Sequence, residues 1–172
     1  ATVRQTGGFE TWTETNVSRG TNGAGAGNGA APTDGTQRAF TETILKAVQQ
    51  LCFANGGEPS MLIVGPHVKG VVSGFSGRTS VTQTVDANTV EASVAIYAGD
   101  FGELKVVPSN FSRARSALFV DPNYAKTCFL RDFDTIDIAT IGDAITKMLV
   151  VEFGLEVSNE KAHGIAADLS TS

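Results

Sequence analysis

Apolar residues at Ile44, Leu45, Val48, Leu51 and Cys52 recur at i, i+1, i+4, i+7 and i+8, the spacing of one helical face. The pattern predicts a helix opening near Thr41, whose hydroxyl can cap the first free amides. Phe40, just before the cap, is placed to pack on Leu45 as a hydrophobic staple, and Glu42 and Lys46 form an i,i+4 pair on the polar side. Asn55-Gly56-Gly57 supplies a left-handed stop, and Pro59 prevents the helix from resuming. Met61-Leu62-Ile63-Val64 then reads as a short buried strand ended by Gly65-Pro66, with Pro66 suited to the first position of a second helix. Val68, Val71, Val72 and Phe75 share one face of that helix at i, i+3, i+4 and i+7.

From about residue 80 the period changes to two. Val90, Ala92, Val94 and Ile96 alternate with Glu91, Ser93, Ala95 and Tyr97, as in a half-buried strand. Gly99-Asp100-Phe101-Gly102 is turn material, and Leu104-Lys105-Val106-Val107-Pro108 follows it, so an antiparallel hairpin is expected. Ala117 to Val120 predicts another strand, closed by Asp121-Pro122-Asn123. Segments 127–139 and 145–157 read as further strands, and 159–169 as a short terminal turn and strand. The fold class is α+β. Residues 1–38 look different: Gly20 to Gly29 holds five glycines in ten positions, which predicts a mobile loop or arm.

Composition narrows the function. The 172 residues suit one domain. Only 18% are charged, below the roughly 25% of an ordinary soluble domain, so the surface either enters partners or relies on uncharged polar groups. A net charge of -5 lacks the footprint of a general nucleic-acid binder. No run of about 18 apolar residues occurs, so no membrane span is expected. The start, Ala1-Thr2-Val3-Arg4, carries no leader pattern, which suggests a processed or excised piece. Cys52 and Cys128 sit in apolar neighbourhoods and read as buried free thiols, with a disulfide still open.

Catalytic chemistry finds no foothold. His67 and His163, the two histidines, have no neighbours at metal-ligand spacing; His67 is expected in the first turn of a helix and His163 in a surface loop. Gly25-Ala26-Gly27 lacks the strand and lysine of a phosphate-binding loop, and Gly70-Val71-Val72-Ser73-Gly74 has the wrong spacing for a nucleophile elbow. Asp132, Asp134 and Asp137 form the densest acidic cluster, but on a strand the first two face one way and the third the other, so a solvated face is expected. Asp100-Phe101-Gly102 is a kinase tripeptide without the motifs that accompany it. Arg113 and Arg115, with Lys105, can meet phosphate or an acidic surface on a neighbouring subunit, and the acidic chain favours the second. No catalytic, cofactor or metal residue is assigned, and the expectation is a non-enzyme.

A set of segments then carries a resemblance. These are Asn55-Gly56-Gly57-Glu58-Pro59, Leu62-Ile63-Val64-Gly65-Pro66, Gly99-Asp100-Phe101-Gly102-Glu103-Leu104-Lys105-Val106-Val107, Leu130-Arg131-Asp132-Phe133, Ile141-Gly142-Asp143-Ala144, Glu152-Phe153-Gly154-Leu155-Glu156-Val157 and Asn159-Glu160-Lys161-Ala162-His163-Gly164. In order and spacing, from about 39 to 169, they resemble the C-terminal half of the major capsid proteins of tailed bacteriophages. The resemblance implies the tailed-phage capsid fold, with residues 39–125 mainly in an axial-type α/β subdomain and 126–172 as strands returning to a peripheral-type sheet. Residues 1–38 form the glycine-rich arm or loop region, and the family's spine helix and extended loop are not seen before residue 39. The implied role is a structural subunit of a capsid shell in the virion, assembled in the host cytoplasm. Its implied partners are copies of itself, with scaffolding or decoration proteins as further candidates and packaged DNA only in weak non-specific contact. Loops 20–32 and 76–89 are natural places for subunit contacts. The alternative is a receptor- or glycan-binding module of a virion, for which Trp12 offers a stacking surface.

Overall fold

The computed structural model describes residues 6–25, 27–75, 96–139 and 142–171. In chain order the elements are α1 (Phe9–Trp12), β1 (Val17–Ser18), α2 (Glu42–Ala54), β2 (Met61–Val64), α3 (Pro66–Ser73), β3 (Ile96–Gly99), β4 (Gly102–Pro108), β5 (Ala117–Val120), β6 (Ala125–Ile138), β7 (Thr146–Val157) and β8 (Gly164–Ala166). Two 3-10 turns, Pro122–Tyr124 and Glu160–Ala162, flank the β6–β7 pair. The architecture is α+β, with a mixed six-stranded sheet in the order β1-β8-β5-β2-β4-β3 and a separate two-stranded ribbon of β6 and β7.

The first helix forms as its local chemistry dictates. The Thr41 hydroxyl accepts the Ile44 amide at 3.4 Å, and Lys46 pairs with Glu42 at 2.8 Å. Leu45, Val48 and Cys52 are fully buried, and Phe40 lies buried in the same cluster as Leu45. Gly56 takes φ +81, the left-handed conformation that stops the helix, and the Gly57 amide returns to the Cys52 carbonyl at 2.9 Å. In the sheet, Leu62 stands opposite Phe119 and Val106, and Tyr97 opposite Leu104. These residues join Val68 and Val72 of α3 and the buried face of α2 in one core, so both helices pack on the same side of the sheet. Each large side chain there stabilises the fold by roughly 1.5–3 kcal/mol. Gln49 is also buried and donates to the Gly102 carbonyl at 3.1 Å, tying the β3–β4 turn to α2.

The hairpin expected after residue 80 has β3 and β4 as its described part, joined through Gly99 and Gly102. The alternation at Val90, Ala92 and Val94 and the loop 76–89 lie outside the described residues, apart from Ile96 and Tyr97 at the strand's end. Residues 162–169 are buried without interruption, because β8 lies inside the sheet, parallel to β1 and antiparallel to β5. The chain's last segment therefore returns to the body sheet, whereas β6 and β7 pair only with each other.

The glycine-rich stretch is a loop with fixed anchors. Asp168, buried and at φ +60, accepts the Gly20 amide at 3.0 Å and the Gly35 amide at 2.7 Å. A Cβ at Gly20 would stand 2.1 Å from the Thr36 carbonyl oxygen, so the close approach of these backbones requires glycine there. Ala24 and Thr33 bridge across the loop, and Arg38 bridges to Leu169.

Candidate assembly surface

The ribbon is where the molecule departs most from an ordinary soluble surface. β6 and β7 run antiparallel from the Ala125–Val157 pair at the root to Ile138–Thr146 near the tip. Among the described residues, nine large apolar side chains on it are exposed: Phe129, Leu130, Phe133, Ile136, Ile138, Ile145, Met148, Leu149 and Phe153. Leu130 is 72% exposed and Ile145 81%. Apolar exposure on this scale, spread over both faces of one element, is the kind that accompanies interaction sites. A two-stranded ribbon is itself only marginally stable in water without a partner.

Register and bulges shape the surface. Cross-strand partners share a face, so Phe129 and Phe153 stand together, with ring centroids 6.3 Å apart, and Phe133 lies 6.3 Å from Phe129. Register shifts fall between Phe129 and Arg131 and between Arg131 and Asp134. Bulges of this kind re-aim side chains and increase local twist. Strict alternation therefore does not apply across Asp132 and Asp134, and the expectation that they share a face loses its basis. Their carboxylates accept the amides of Phe133 and Thr135, each at 2.8 Å. Asp137 instead pairs with Lys147 at 3.3 Å, and Arg131 with Glu152 at 3.5 Å. A groove of about 570 Å³ runs along the ribbon between Thr6, Cys128, Leu130, Val151, Glu152, Phe153 and Gly154. A second, of about 270 Å³, is lined by Arg131, Asp132, Phe133, Asp134, Ile136 and Val150.

The other residues singled out from the sequence fall elsewhere. His67 is exposed in the first turn of α3, as expected. His163 is not on the surface: it is 1% exposed, its ring centroid lies 5.2 Å from that of Phe9 in an edge-on arrangement, and its Nδ1 accepts the Asp121 amide at 3.2 Å. Burial holds its pKa below the ordinary histidine value, against the opposing pull of the Tyr124 backbone, Asp121 and Glu160. Cys52 is buried, as expected, and burial pushes its thiol up to about 12, but Cys128 is exposed on the ribbon; both are free. The apolar neighbours that suggested burial for Cys128, Phe129 and Leu130, are themselves exposed.

Arg113 and Arg115 meet acids of their own chain. Arg113 bonds Asp34 and, at 3.1 Å, Glu10, while Arg115 bonds Asp34 at 3.1 Å and lies 3.6 Å from Asp168. The bond from Arg113 keeps the Asp34 carboxyl below its ordinary range. Asp100 and Phe101 form the β3–β4 turn, where Phe101 lies 5.5 Å from Phe53. Trp12 is 37% exposed, and its ring covers Gly29. Among the described residues no group of three or more His, Cys, Asp or Glu is placed to hold a metal ion, and no helix is long and apolar enough to cross a membrane. Asp168 was not singled out from sequence; the one signal was a lone carboxylate inside the apolar run Ile165-Ala166-Ala167-Asp168-Leu169.

No curated protein matches the chain. The profile of the SU10 major capsid protein family matches residues 1–170, extending over the N-terminal segment that the sequence resemblance left out. With that match over nearly the whole chain, and a ribbon surface that calls for a partner, the chain belongs to the SU10 major capsid protein family and is a structural subunit of a viral capsid.

Proposed function

We propose that copies of this chain pack laterally into the shell chiefly through the β6–β7 ribbon, and that the six-stranded body works as the axial-type unit while the ribbon works as the peripheral-type one. The observation that carries this reading is the row of nine exposed apolar side chains on an element with no core of its own. Its size fits. A 14-residue strand extends about 45 Å, and two strands are about 10 Å wide, which gives about 450 Å² on each face. One neighbour on each face would cover about half of the roughly 800 Å² per partner of a standard specific interface, in line with weak contacts that add up around a closed ring.

The occupant is another copy, in a head-to-tail contact of the kind that closes rings of identical subunits. Charge supports a heterologous rather than a like-on-like contact. Between residues 125 and 157, six carboxylates (Asp132, Asp134, Asp137, Asp143, Glu152 and Glu156) stand with three cations (Lys126, Arg131 and Lys147). Two ribbons laid face to face would repel, whereas a ribbon laid on a less acidic face of the next body would not. Residues 1–38 serve as the segment that laces the body's edge, held by Asp168 and the Arg113–Asp34–Arg115 group. The subunit works without catalysis, and its net charge of -5 limits packaged DNA to weak non-specific contact.

The test is a triple variant, Phe133→Thr, Ile136→Thr and Leu149→Thr, which keeps strand-forming residues while removing apolar surface. Light scattering and sedimentation of the full chain would show shells or rings for the unchanged protein. The variant would show monomers or small oligomers at an unchanged melting temperature. Particles of the same size and yield from the variant would remove the ribbon from the assembly surface.

A further inference from the structure

The ribbon leaves the body through residues 121–124 and returns through 158–163, and His163 joins these two connections. We propose that His163 is a proton-operated clasp at the ribbon root: neutral, it holds the outgoing and returning connections together, and a second proton on its ring releases them. The inference concerns the ribbon's attachment to its own body, so it holds whatever the ribbon packs against.

The bonds across the root form a short ladder. The Ser158 amide donates to the Tyr124 carbonyl at 3.0 Å, the Tyr124 amide to the Asp121 carbonyl at 3.2 Å, and the Asp121 amide to Nδ1 of His163 at 3.2 Å. A backbone amide can only donate, so Nδ1 must offer its lone pair and the ring proton sits on Nε2. Nε2 is itself buried and has no hydrogen-bond partner. A charged ring carries hydrogen on both nitrogens. Two N–H groups would then face each other across the 3.2 Å that now holds a hydrogen bond, and the contact turns repulsive. The ring cannot simply turn to water, because it is 1% exposed and Phe9 of α1 stands against it.

The nearest carboxylates already hold other groups. Oδ1 of Asp121 accepts both the amide and the side chain of Asn123, at 3.0 and 2.9 Å. The Glu160 carboxylate is occupied by the Thr15 hydroxyl and by the amides of Glu14 and Thr15, at 3.1 and 3.2 Å. Both favour a charged ring from a distance, and the Tyr124 backbone, whose carbonyl also accepts the Ser158 amide, favours it through a hydrogen bond; α1 presents the Phe9 ring, and Lys161 on the returning turn is exposed. Burial outweighs these favourable terms and lowers the pKa. The sign follows: a base whose folded pKa is depressed binds more protons when open than when closed. The clasp is fully closed above the ordinary histidine value near 6.5, and it weakens as pH falls below that value toward the lowered one of the closed state.

Hydrogen exchange on the full chain at about pH 7.5 and about pH 5, corrected for intrinsic rates, tests this. The expected result is a clear loss of protection, of up to about thirtyfold for an open ring titrating near 6.5, at the Asp121 amide and its neighbours on both connections. The amides of β2 keep theirs. His163→Asn retains an acceptor where Nδ1 stands but cannot titrate, so its protection is expected to be equal at the two pH values. Phe9→Ala, which opens the ring to water, moves the opening midpoint up toward the ordinary histidine value. Equal protection at both pH values in the unchanged protein, or the same loss in His163→Asn, overturns the clasp. If His163→Asn does not fold, an NMR titration of the histidine ring in the unchanged protein decides. A ring that titrates without a matching change at the Asp121 amide also overturns it.

Discussion

Replacing Asp168 with Ala removes the acceptor of two backbone amides at once. Its carboxylate holds Gly20 at 3.0 Å and Gly35 at 2.7 Å, and it lies 3.6 Å from the Arg115 guanidinium. A hydrogen bond to a charged group contributes about 1.5–3 kcal/mol, so the two amides alone set a loss of about 3–6 kcal/mol. Some of that returns where the freed amides reach water, because both bonds are only part-buried. Against that recovery stands the backbone: residue 168 has φ +60, a conformation that Asp tolerates better than Ala, at a further cost of about 1 kcal/mol. A net destabilisation of about 3–5 kcal/mol follows. The assay is urea unfolding followed by fluorescence of Trp12, the single tryptophan, which lies in the N-terminal segment that Asp168 anchors. With a slope of about 2 kcal/mol/M, the midpoint should fall by about 1.5–2.5 M. Asp168→Asn keeps one acceptor oxygen and tolerates the same φ, so it should lose about half as much. A midpoint for Asp168→Ala within about 0.3 M of the unchanged protein would show that Asp168 does not anchor the N-terminal segment, because such a shift is what an indifferent surface position gives.

Two further outcomes are expected. Gly57→Ala would place a Cβ 2.6 Å from the Ala162 Cα, a backbone atom that cannot yield; it should cost about 2–3 kcal/mol in thermal unfolding. Gly56→Ala meets open space and carries only the strain of φ +81, about 1 kcal/mol, and equal costs at the two positions would contradict the contact. In thiol labelling of the folded chain, Cys128 should react at once and Cys52, pushed up to about 12 by burial, only on unfolding; two rapidly labelled thiols would show that α2 does not seal Cys52.

What the sequence made legible was local. The α2 helix has its cap, its ion pair and its stop within sixteen residues of one another, each with its own physical signal, and all three stand where the pattern placed them, with Phe40 and Leu45 in the same core cluster. Met61–Val64 and Ala117–Val120 were visible as short apolar runs bounded by turns. Their pairing was not, because nothing in β2 itself says that it lies between β4, in parallel, and β5, antiparallel. β8 was read as a terminal strand, but its place inside the sheet depends on β1, nearly 150 residues earlier. His163 was misjudged for the same reason. Its neighbours Lys161 and Gly164 look like loop material, and the groups that bury it, Phe9 and Asp121, come from distant segments. The acids that Arg113 and Arg115 meet within the chain were not legible, because Glu10 and Asp34 lie in the segment taken as an arm. The ribbon's two strands were legible, yet their exposure was not: an apolar run signals burial without saying whether the burying surface belongs to the same chain.

That distinction bears on how such a subunit works. The body closes its own core. The ribbon holds its register through cross-strand pairs worth about 0.2–1 kcal/mol each, and its apolar faces gain only when another molecule covers them. Covering about 900 Å² at about 25 cal/mol per Å² gives a gross gain of about 20 kcal/mol. Association and the ordering of long side chains take back about 4–15 kcal/mol or more of it. If the remainder is divided among several neighbours, each single contact is weak enough to dissociate while the closed set is not. Ribbon order and subunit association then strengthen each other through mass action, since anything that binds the ordered ribbon stabilises it. A self-sufficient body with a ribbon that depends on partners therefore suits a subunit that must stay folded alone and commit only in company.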